Sequence, residues 1–300
     1  MALKPILKPG DTIGVFSPSS ALGSLDELDP AISLLQKRGY KINIHPQTGA
    51  KLNQSAGTND EKAKAFHDLL LNDEIDLIWA SRGGNRASQF LELIDCDLWK
   101  KSGKKVIGYS DTTNLHCAAL TQCDIPCVQG PLFREIGTSL PDAQFEFLMA
   151  YLESGKLDYP LHEAEVISEG QVSGPLIGGT FFVLQNLIGT SYFPNTDGAI
   201  LYLEDINEEL SRIDRAFQHL KMALPFENLG GLMIGDFISP QDTGAPYGFS
   251  LDDIIFEHVK DFDFPVIKNI PFGHGDRLFA LPFGQKATLS VSKEKSSLTL

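Results

Sequence analysis

The stretch KVIGYSDTT at residues 105–113 combines a short apolar strand with a turn that leads into a helix. Residues 105–108 have the pattern of a buried strand, and Leu115 and Leu120 lie on one face of the helix that follows. Alternating strands and amphipathic helices are typical of a parallel sheet covered by crossover helices. The stretch therefore predicts an α/β fold in which ligands bind beyond the carboxyl ends of the strands.

The same alternation extends from Thr12 to Gln129. It predicts further strands over residues 12–16, 41–45 and 75–80, and helices over residues 25–38, over residues 59–70 and through Phe90, Leu91 and Ile94. Between residues 138 and 171 the alternation weakens and proline and glycine accumulate, apart from a helical patch at residues 145–152. This change in pattern indicates a domain boundary.

The second half of the chain predicts strands over residues 199–203, 232–237 and 266–270, and helices over residues 211–222 and 251–259. We therefore expect two domains. An N-terminal parallel-sheet α/β domain occupies residues 1–155, and a smaller C-terminal domain, either α/β or β-rich, occupies residues 170–300.

The composition narrows the class of partner. A chain of 300 residues with 42% hydrophobic and 21% charged residues is typical of a globular protein, and its formal net charge of -14 repels polyanions. Nucleic acid and anionic membranes are therefore poor partners. The start of the chain lacks the apolar core of a signal peptide, no apolar run approaches the length of a membrane helix, and four cysteines are too few for a disulfide scaffold. These features predict a cytoplasmic protein.

Ser110 stands between the predicted strand and helix, where two interpretations are open. In one, the turn exposes the hydroxyl as a nucleophile and leaves the amide of Asp111 at a helix N-terminus, where it can donate to an oxyanion. In the other, Ser110 or Asp111 simply caps the helix. The usual nucleophile elbow has a glycine two residues after the serine, whereas Thr112 occupies that position here.

The segment Arg82-Gly83-Gly84 follows the strand predicted at residues 75–80. Glycine allows a ligand to approach the backbone closely, so this loop is a candidate for a second oxyanion donor. A tight strand-to-helix turn explains the same glycines. A phosphate-binding loop fits less well, because no lysine follows them.

A nucleophilic serine needs a base, and His274 is the best placed of the seven histidines. It lies between Gly273 and Gly275 in a predicted loop, although a structural role for a loop histidine is equally compatible with the pattern. Glu204, at the end of the apolar run 201–203, is a candidate to orient the imidazole, and Asp276 is a rival. The cluster His116, Cys117, Cys123 and Cys127 lacks the paired spacing of zinc sites, so we expect buried thiols and no metal.

Together these segments resemble the LD-carboxypeptidase family of serine peptidases, which includes murein tetrapeptide carboxypeptidases and microcin C immunity peptidases. The likeness extends over nearly the whole chain as an ordered set of motifs: KPGDTI at residues 8–13, SPSS at 17–20, RGG at 82–84, GYSDTT at 108–113, GPLIGG at 174–179, LED at 203–205, RIDR at 212–215 and FGH at 272–274.

The resemblance implies a triad in which Ser110 is the nucleophile, His274 the general base and Glu204 the residue that orients His274. It also implies a two-domain enzyme, a homodimer that uses no metal or other cofactor, and a small muropeptide substrate. In the mechanism that follows from it, the amides of Gly84 and Asp111 bind the oxyanion. The expected substrate-binding residues are those of the loop after the third strand: Arg82, Gly83, Asn85 and Arg86.

Two departures from the family pattern concern the substrate. Asn85-Arg86 follows the glycines where the family often has Tyr-Gly, and Gln129 stands where a histidine is common. Arg82, Arg86 and Arg134 are unranked candidates to bind the terminal carboxylate of a peptide. Three alternatives remain: an immunity-type peptidase acting on peptidyl or aminoacyl nucleotides, a general esterase with the same triad, and a non-catalytic two-domain binding protein.

Overall fold

The structure, a computed structural model, describes residues 5–242 and 244–300. Residues 1–4, which belong to the predicted N-terminal domain and to the segment that lacks the apolar core of a signal peptide, lie outside the described residues. The chain folds into two compact units. The first comprises Met1–Lys156 and Phe279–Gly284, and the second comprises Leu157–Leu278 and Gln285–Leu300.

The first unit alternates strands and helices along most of its length. Its elements in chain order are β1 (Thr12–Phe16), α1 (Asp29–Lys37), β2 (Lys41–Ile44), α2 (Asn59–Leu71), β3 (Leu77–Ala80), α3 (Cys96–Ser102), β4 (Lys105–Gly108), α4 (Thr113–Cys123), β5 (Cys127–Gln129) and α5 (Asp142–Ser154). The predicted alternation is confirmed, with two changes of helix type. The helix expected over residues 25–38 begins with a 3-10 turn, Leu25–Leu28, before α1. The helix expected through Phe90 is a 3-10 helix, Ala87–Leu93, which the chain enters through Arg86 in a left-handed conformation with a φ of 80°.

The remaining elements follow α5 in the chain, and all of them except one strand belong to the second unit. They are β6 (Glu165–Ser168), β7 (Gly170–Thr180), α6 (Phe181–Gln185), β8 (Ile200–Ile206), α7 (Leu210–Ala223), β9 (Gly231–Ile238), α8 (Leu251–Val259), β10 (Val266–Lys268), β11 (Leu281–Phe283), β12 (Lys286–Val291) and β13 (Ser297–Thr299). β11 is the strand that belongs to the first unit. Among the described residues, none of the helices combines the length and apolar character of a membrane span.

The sheet of the first unit has the strand order β11-β5-β4-β3-β1-β2. Strands β1 to β5 are parallel, and β11 pairs antiparallel with β5. The order reverses between β1 and β3, so the loops after these strands diverge and leave a crevice at their carboxyl ends. Residues 17–20, 81–84 and 109–110, rich in serine and glycine, follow β1, β3 and β4. The α/β fold is therefore confirmed, and its geometry places these loops at one edge.

The sheet of the second unit has the order β13-β12-β7-β8-β9-β10-β6, with β7 to β10 parallel and the other three strands antiparallel. Gly178 of β7 lies against β8: a Cβ built there would be 1.9 Å from the carbonyl oxygen of Tyr202. This close approach explains the first of the paired glycines of the GPLIGG motif, and the φ of 128° at Gly179 explains the second. The register then places Thr180 beside Glu204.

Candidate active site

Ser110 occupies a strained turn between β4 and α4. Its φ is 60°, in a left-handed region that a residue with a Cβ seldom adopts. A 3-10 turn, Ser110–Thr112, leads directly into α4. Backbone strain of this kind clusters at functional sites, and a serine on a sharp strand-to-helix turn is the arrangement of a nucleophile elbow.

Neither Ser110 nor Asp111 is the N-cap of the 3-10 turn or of α4, so the interpretation that one of them caps the following helix is wrong. The N-cap positions are Tyr109 and Thr112, and neither side chain makes a capping hydrogen bond. Instead, the carboxylate of Asp111 accepts hydrogen bonds from the backbone N–H of Ala87 at 2.8 Å and from Asn114 Nδ2 at 2.9 Å. Asp111 thereby ties the serine turn to the loop after β3.

Gly108 and Gly83 make room for the serine turn, and Gly84 lets the loop after β3 pack against the loop after β1. A Cβ built at Gly108 would lie 2.8 Å from Thr112 Oγ1, so Gly108 provides the space that the usual elbow gains from a glycine after the serine. A Cβ at Gly83 would lie 3.1 Å from Ser110 Oγ. Gly84, with a φ of 127°, packs against Ser20, whose Oγ would be 2.0 Å from an added Cβ. The loop after β3 therefore lies directly beside Ser110, as a source of oxyanion donors must.

A buried lysine lies beneath this turn. Lys62 of α2 is fully buried, and Asp111 is 5% exposed. Burial raises the pKa of Asp111, and the nearby charge of Lys62 opposes that rise. Burial lowers the pKa of Lys62 to about 8, and the carboxylate of Asp111 opposes that fall. The two groups therefore stabilise each other's charged forms. The burial of Lys62 was not predicted from the sequence, because a lysine in a helical pattern normally faces solvent.

The arginines predicted to bind substrate differ in their surroundings. Arg82 Nη1 donates to the carbonyl oxygen of Ala21 at 2.6 Å, and burial lowers the pKa of Arg82. Arg134 pairs with Glu27 at 3.3 Å. Arg86 and Asn85 line an open cavity of about 420 Å³ together with residues 52–55. Arg86 makes no ion pair with any carboxylate in the part of the chain that the structure describes.

The second unit brings Glu204 and His274 together across 70 positions of sequence. Glu204 lies on β8 and is fully buried, and its Oε2 is 2.7 Å from Nδ1 of His274. The side chain of His274 is 15% exposed. A carboxylate on Nδ1 directs Nε2 outward and stabilises the protonated imidazole, which is the arrangement of a histidine base with its orienting acid.

Thr180 and Asp205 lie next to Glu204 in roles that were not predicted from the sequence, where Asp205 reads as part of a solvated acidic run. Thr180 Oγ1 donates to Glu204 Oε1, which is the carboxylate oxygen that does not contact His274. Asp205 accepts from the backbone N–H groups of Phe182 and Ile206, both at 2.8 Å, and burial raises the pKa of Asp205 to about 6. Pairing the two apolar runs as parallel strands would have predicted the contact of Thr180, since it follows from the register.

The cysteine cluster is a set of free thiols. Cys117, Cys123 and Cys127 are buried, and Cys96 is partly exposed. Burial raises the pKa of the Cys127 thiol to about 11 and lowers the pKa of His116 to about 3. A thiol that holds its proton so strongly is a poor metal ligand, because the thiolate is the form that binds metals. Within residues 5–242 and 244–300, no group of three His, Cys, Asp or Glu residues is arranged to hold a metal.

Comparison with known proteins covers both units. The model of the LD-carboxypeptidase N-terminal domain matches residues 13–130, and that of the LD-carboxypeptidase C-terminal domain matches residues 173–289. The probable murein peptide carboxypeptidase of Bacillus subtilis (strain 168) is 27% identical over 293 residues, which cover 96% of this chain and 91% of that protein.

Two further comparisons are with the microcin C7 self-immunity protein MccF. The microcin C7 self-immunity protein MccF of Escherichia coli is 26% identical over 329 residues, covering 98% of this chain and 94% of that protein. The solved structure of MccF in complex with glutamyl sulfamoyl guanosine has a TM-score of 0.89 at 24% identity, and the match covers 100% of this chain and 98% of that one. The structural likeness shows a common fold.

Proposed function

The chain belongs to the LD-carboxypeptidase family of serine-type carboxypeptidases, and from that premise we propose that it removes a terminal D-alanine from a murein tetrapeptide. Ser110 is the proposed nucleophile, His274 the general base and Glu204 the residue that orients it. The observation that carries the proposal is the 2.7 Å contact between Glu204 and His274, because a buried carboxylate on a histidine Nδ1 has a specific use in acyl transfer. The strained φ of 60° at Ser110 supports the assignment of Ser110 as the nucleophile.

The proposed reaction proceeds through an acyl-enzyme. Ser110 Oγ attacks the carbonyl carbon of the amide between the diaminoacid and D-alanine, and His274 Nε2 accepts the hydroxyl proton. The C–N bond then breaks, and His274 returns the proton to the departing amine. Water, deprotonated by His274, attacks the ester. The C–O bond then breaks, and His274 returns the proton to Ser110 Oγ, which restores the free enzyme. The amides of Gly84 and Asp111 stabilise the oxyanion of both tetrahedral intermediates, and losing one such donor costs about 10²–10³ in kcat.

The terminal carboxylate of the substrate requires a cation, for which Arg86 is the strongest candidate. Arg82 is engaged with Ala21 and Arg134 with Glu27, whereas Arg86 faces an open cavity that also presents Asn85. A guanidinium can bind a carboxylate through two parallel hydrogen bonds. Arg82, Gly83 and Asn85 then form the wall of the subsite instead of supplying its charge.

Mass spectrometry of the protein incubated with L-Ala-γ-D-Glu-meso-diaminopimelate-D-Ala tests the proposal. The wild type is expected to release one alanine, Ser110→Ala none, and Ser154→Ala, which alters an exposed serine at the end of α5, as much as the wild type. Turnover by Ser110→Ala at more than a few per cent of the wild-type rate would rule out the triad. Tight binding of the tetrapeptide without turnover by any variant would support a binding protein instead, and cleavage of simple esters alone would support an esterase.

A second candidate is a peptidase that acts on aminoacyl nucleotides. The likeness to the MccF self-immunity protein favours it, and the net charge of -14, which argues against nucleic-acid polymers, does not exclude a nucleotide-like small molecule. Trp79 and Trp99 are fully buried, so neither can serve as a platform for a base. Incubation with an aminoacyl sulfamoyl adenosine distinguishes the two candidates, because only the second predicts release of the amino acid.

The remaining expectations concern assembly and location. We propose a homodimer in the cytoplasm, as the family resemblance and the small number of cysteines suggest. Light scattering coupled to size-exclusion chromatography should give twice the chain mass of 32.9 kDa. Cell fractionation should recover the protein with cytoplasmic markers.

A further inference from the structure

We infer that Asp236 and Arg277 form a clamp that positions the loop carrying His274 against Glu204. The inference rests on the proposed role of His274. It makes Asp236 and Arg277 positioning residues, since both act through the histidine and neither is assigned a contact with substrate. Asp236 lies on β9, and Arg277 follows the histidine loop, Gly273–Asp276.

Both ends of the histidine loop are fastened to one residue. At its start, the backbone N–H of Asp236 donates to the carbonyl oxygen of Phe272 at 2.8 Å. At its end, Arg277 Nη2 donates to Asp236 Oδ1 at 2.5 Å. A loop closed at both ends on a single strand residue loses much of its conformational freedom, and the histidine at its centre loses it too.

The two glycines of the loop allow it to lie on Asp236. A Cβ built at Gly273 would be 2.9 Å from Asp236 Cβ, and one built at Gly275 would be 2.8 Å from Asp236 Oδ2. The same strand approaches the acid that orients His274: a Cβ at Gly235 would lie 3.3 Å from Glu204 Cβ and 2.1 Å from the Phe272 carbonyl oxygen. The strand β9 is therefore the surface on which the histidine loop and Glu204 are brought into register.

The clamp depends on the charge of Asp236. Its side chain is 9% exposed, and burial raises the pKa of Asp236, as do the nearby carboxylates of Asp276 and Glu204. The guanidinium of Arg277 opposes this shift, because it favours the carboxylate form of Asp236. Asn269 Oδ1 accepts a hydrogen bond from Arg277 Nη2 at 2.7 Å and orients the guanidinium, whereas the exposed Glu163 lies 3.4 Å from Nη1 in a weak surface ion pair. Burying a carboxylate near other acids costs free energy, and Arg277 is the cation that offsets this cost. We therefore expect the position of Asp236 to serve a function.

The glycines explain why a clamp is needed. Glycine on each side of a catalytic histidine gives the loop access to conformations in which the imidazole leaves Glu204. A displacement of about 1 Å can cost about 10²-fold in rate. Fixing the loop ends at Asp236 removes those conformations while leaving His274 free of bulky neighbours in its own loop.

Steady-state kinetics of D236N, R277Q and the D236N/R277Q double variant test the inference on the full chain. Each single variant should lower kcat about 10- to 100-fold with KM changed less than about threefold, because the histidine is displaced while substrate contacts remain. The double variant should cost no more than the worse single variant, since the pair acts as a unit. R277K should recover part of the loss. E163Q removes the exposed partner of Arg277 and should retain wild-type kcat.

A second measurement keeps the inference separate from the proposed reaction. In ¹⁵N-histidine-labelled protein, the hydrogen-bonded Nδ1–H of His274, assigned with His274→Gln, should give a downfield signal that moves or broadens in D236N and R277Q but not in E163Q. The double variant exchanges an ion pair for two amides of similar size, so it serves if a single variant does not fold. Unchanged signals in folded clamp variants, or kcat within twofold of the wild type, would overturn the inference. A wild type inactive on the tetrapeptide with signals that still move would refute the proposed substrate and leave the clamp standing.

Discussion

The backbone strain at Ser110 costs free energy, and the surrounding residues keep that cost small. A residue with a Cβ in the left-handed region costs of order 1–3 kcal/mol and persists only where its surroundings determine it. Here Gly83 and Gly108 remove the atoms that would collide with the turn, and Asp111 fastens it to Ala87. The hydroxyl is thus held by the packing of three loops at one sheet edge.

Arg86→Gln tests the carboxylate subsite. Loss of a charge-assisted contact should raise KM for the tetrapeptide about 10- to 100-fold with kcat largely retained. Arg134→Gln is the matched control, because that guanidinium already pairs with Glu27. A tetrapeptide amidated at its C-terminus should lose affinity for the wild type and show no further loss with Arg86→Gln. Equal KM values for the two arginine variants on the normal substrate would remove Arg86 from the subsite.

At the scale of elements, helix α4 contains a histidine that is buried in the core. His116 is fully buried, its ring lies 5.7 Å from that of Phe283, and burial lowers its pKa to about 3. In the unfolded chain an ordinary histidine takes up its proton near pH 6.5. Between pH 6.5 and 3 the unfolded state therefore binds the proton and the folded state does not, so stability is lost as the pH falls through this range.

His116→Leu should remove that pH dependence. The free energy of unfolding, measured in urea at several pH values, should fall less steeply below pH 6.5 in the variant, by about 1 kcal/mol per pH unit. His162→Leu changes a side chain that is 77% exposed and should follow the wild-type curve. Parallel curves for His116→Leu and the wild type would show that the buried ring accepts a proton within the folded state.

At the scale of the whole molecule, the chain returns to its first unit near its end. Residues 279–284 fall within the range that matches the C-terminal domain of the family, yet they pack in the first unit, where Leu281 pairs with Gln129 of β5. The strand β11 covers an edge of the parallel sheet that β5 would otherwise present to solvent, and uncovered edges are prone to aggregation.

Leu281→Ala should therefore weaken the first unit. The side chain is fully buried, so its truncation is expected to cost about 2–5 kcal/mol and to speed amide hydrogen exchange along β5. Leu298→Ala on β13, also buried, should destabilise the second unit without changing exchange in β5. Faster exchange in β5 with Leu298→Ala and not with Leu281→Ala would contradict the assignment of the strand.

Local pattern was enough to predict the α/β fold, because the period of apolar residues reflects which face of each strand or helix is buried. It also singled out Ser110, Glu204 and His274, since a serine on a turn, an acid ending an apolar strand and a histidine between glycines are each unusual where they stand. Local pattern could not predict contacts between residues that are distant in the sequence. Glu204 and His274 meet because β8 and the loop after β10 lie on either side of β9, and Lys62, Thr180, Asp236 and β11 acquire their partners only through strand order and burial. Those depend on packing free energies summed over the whole chain, which no short segment contains.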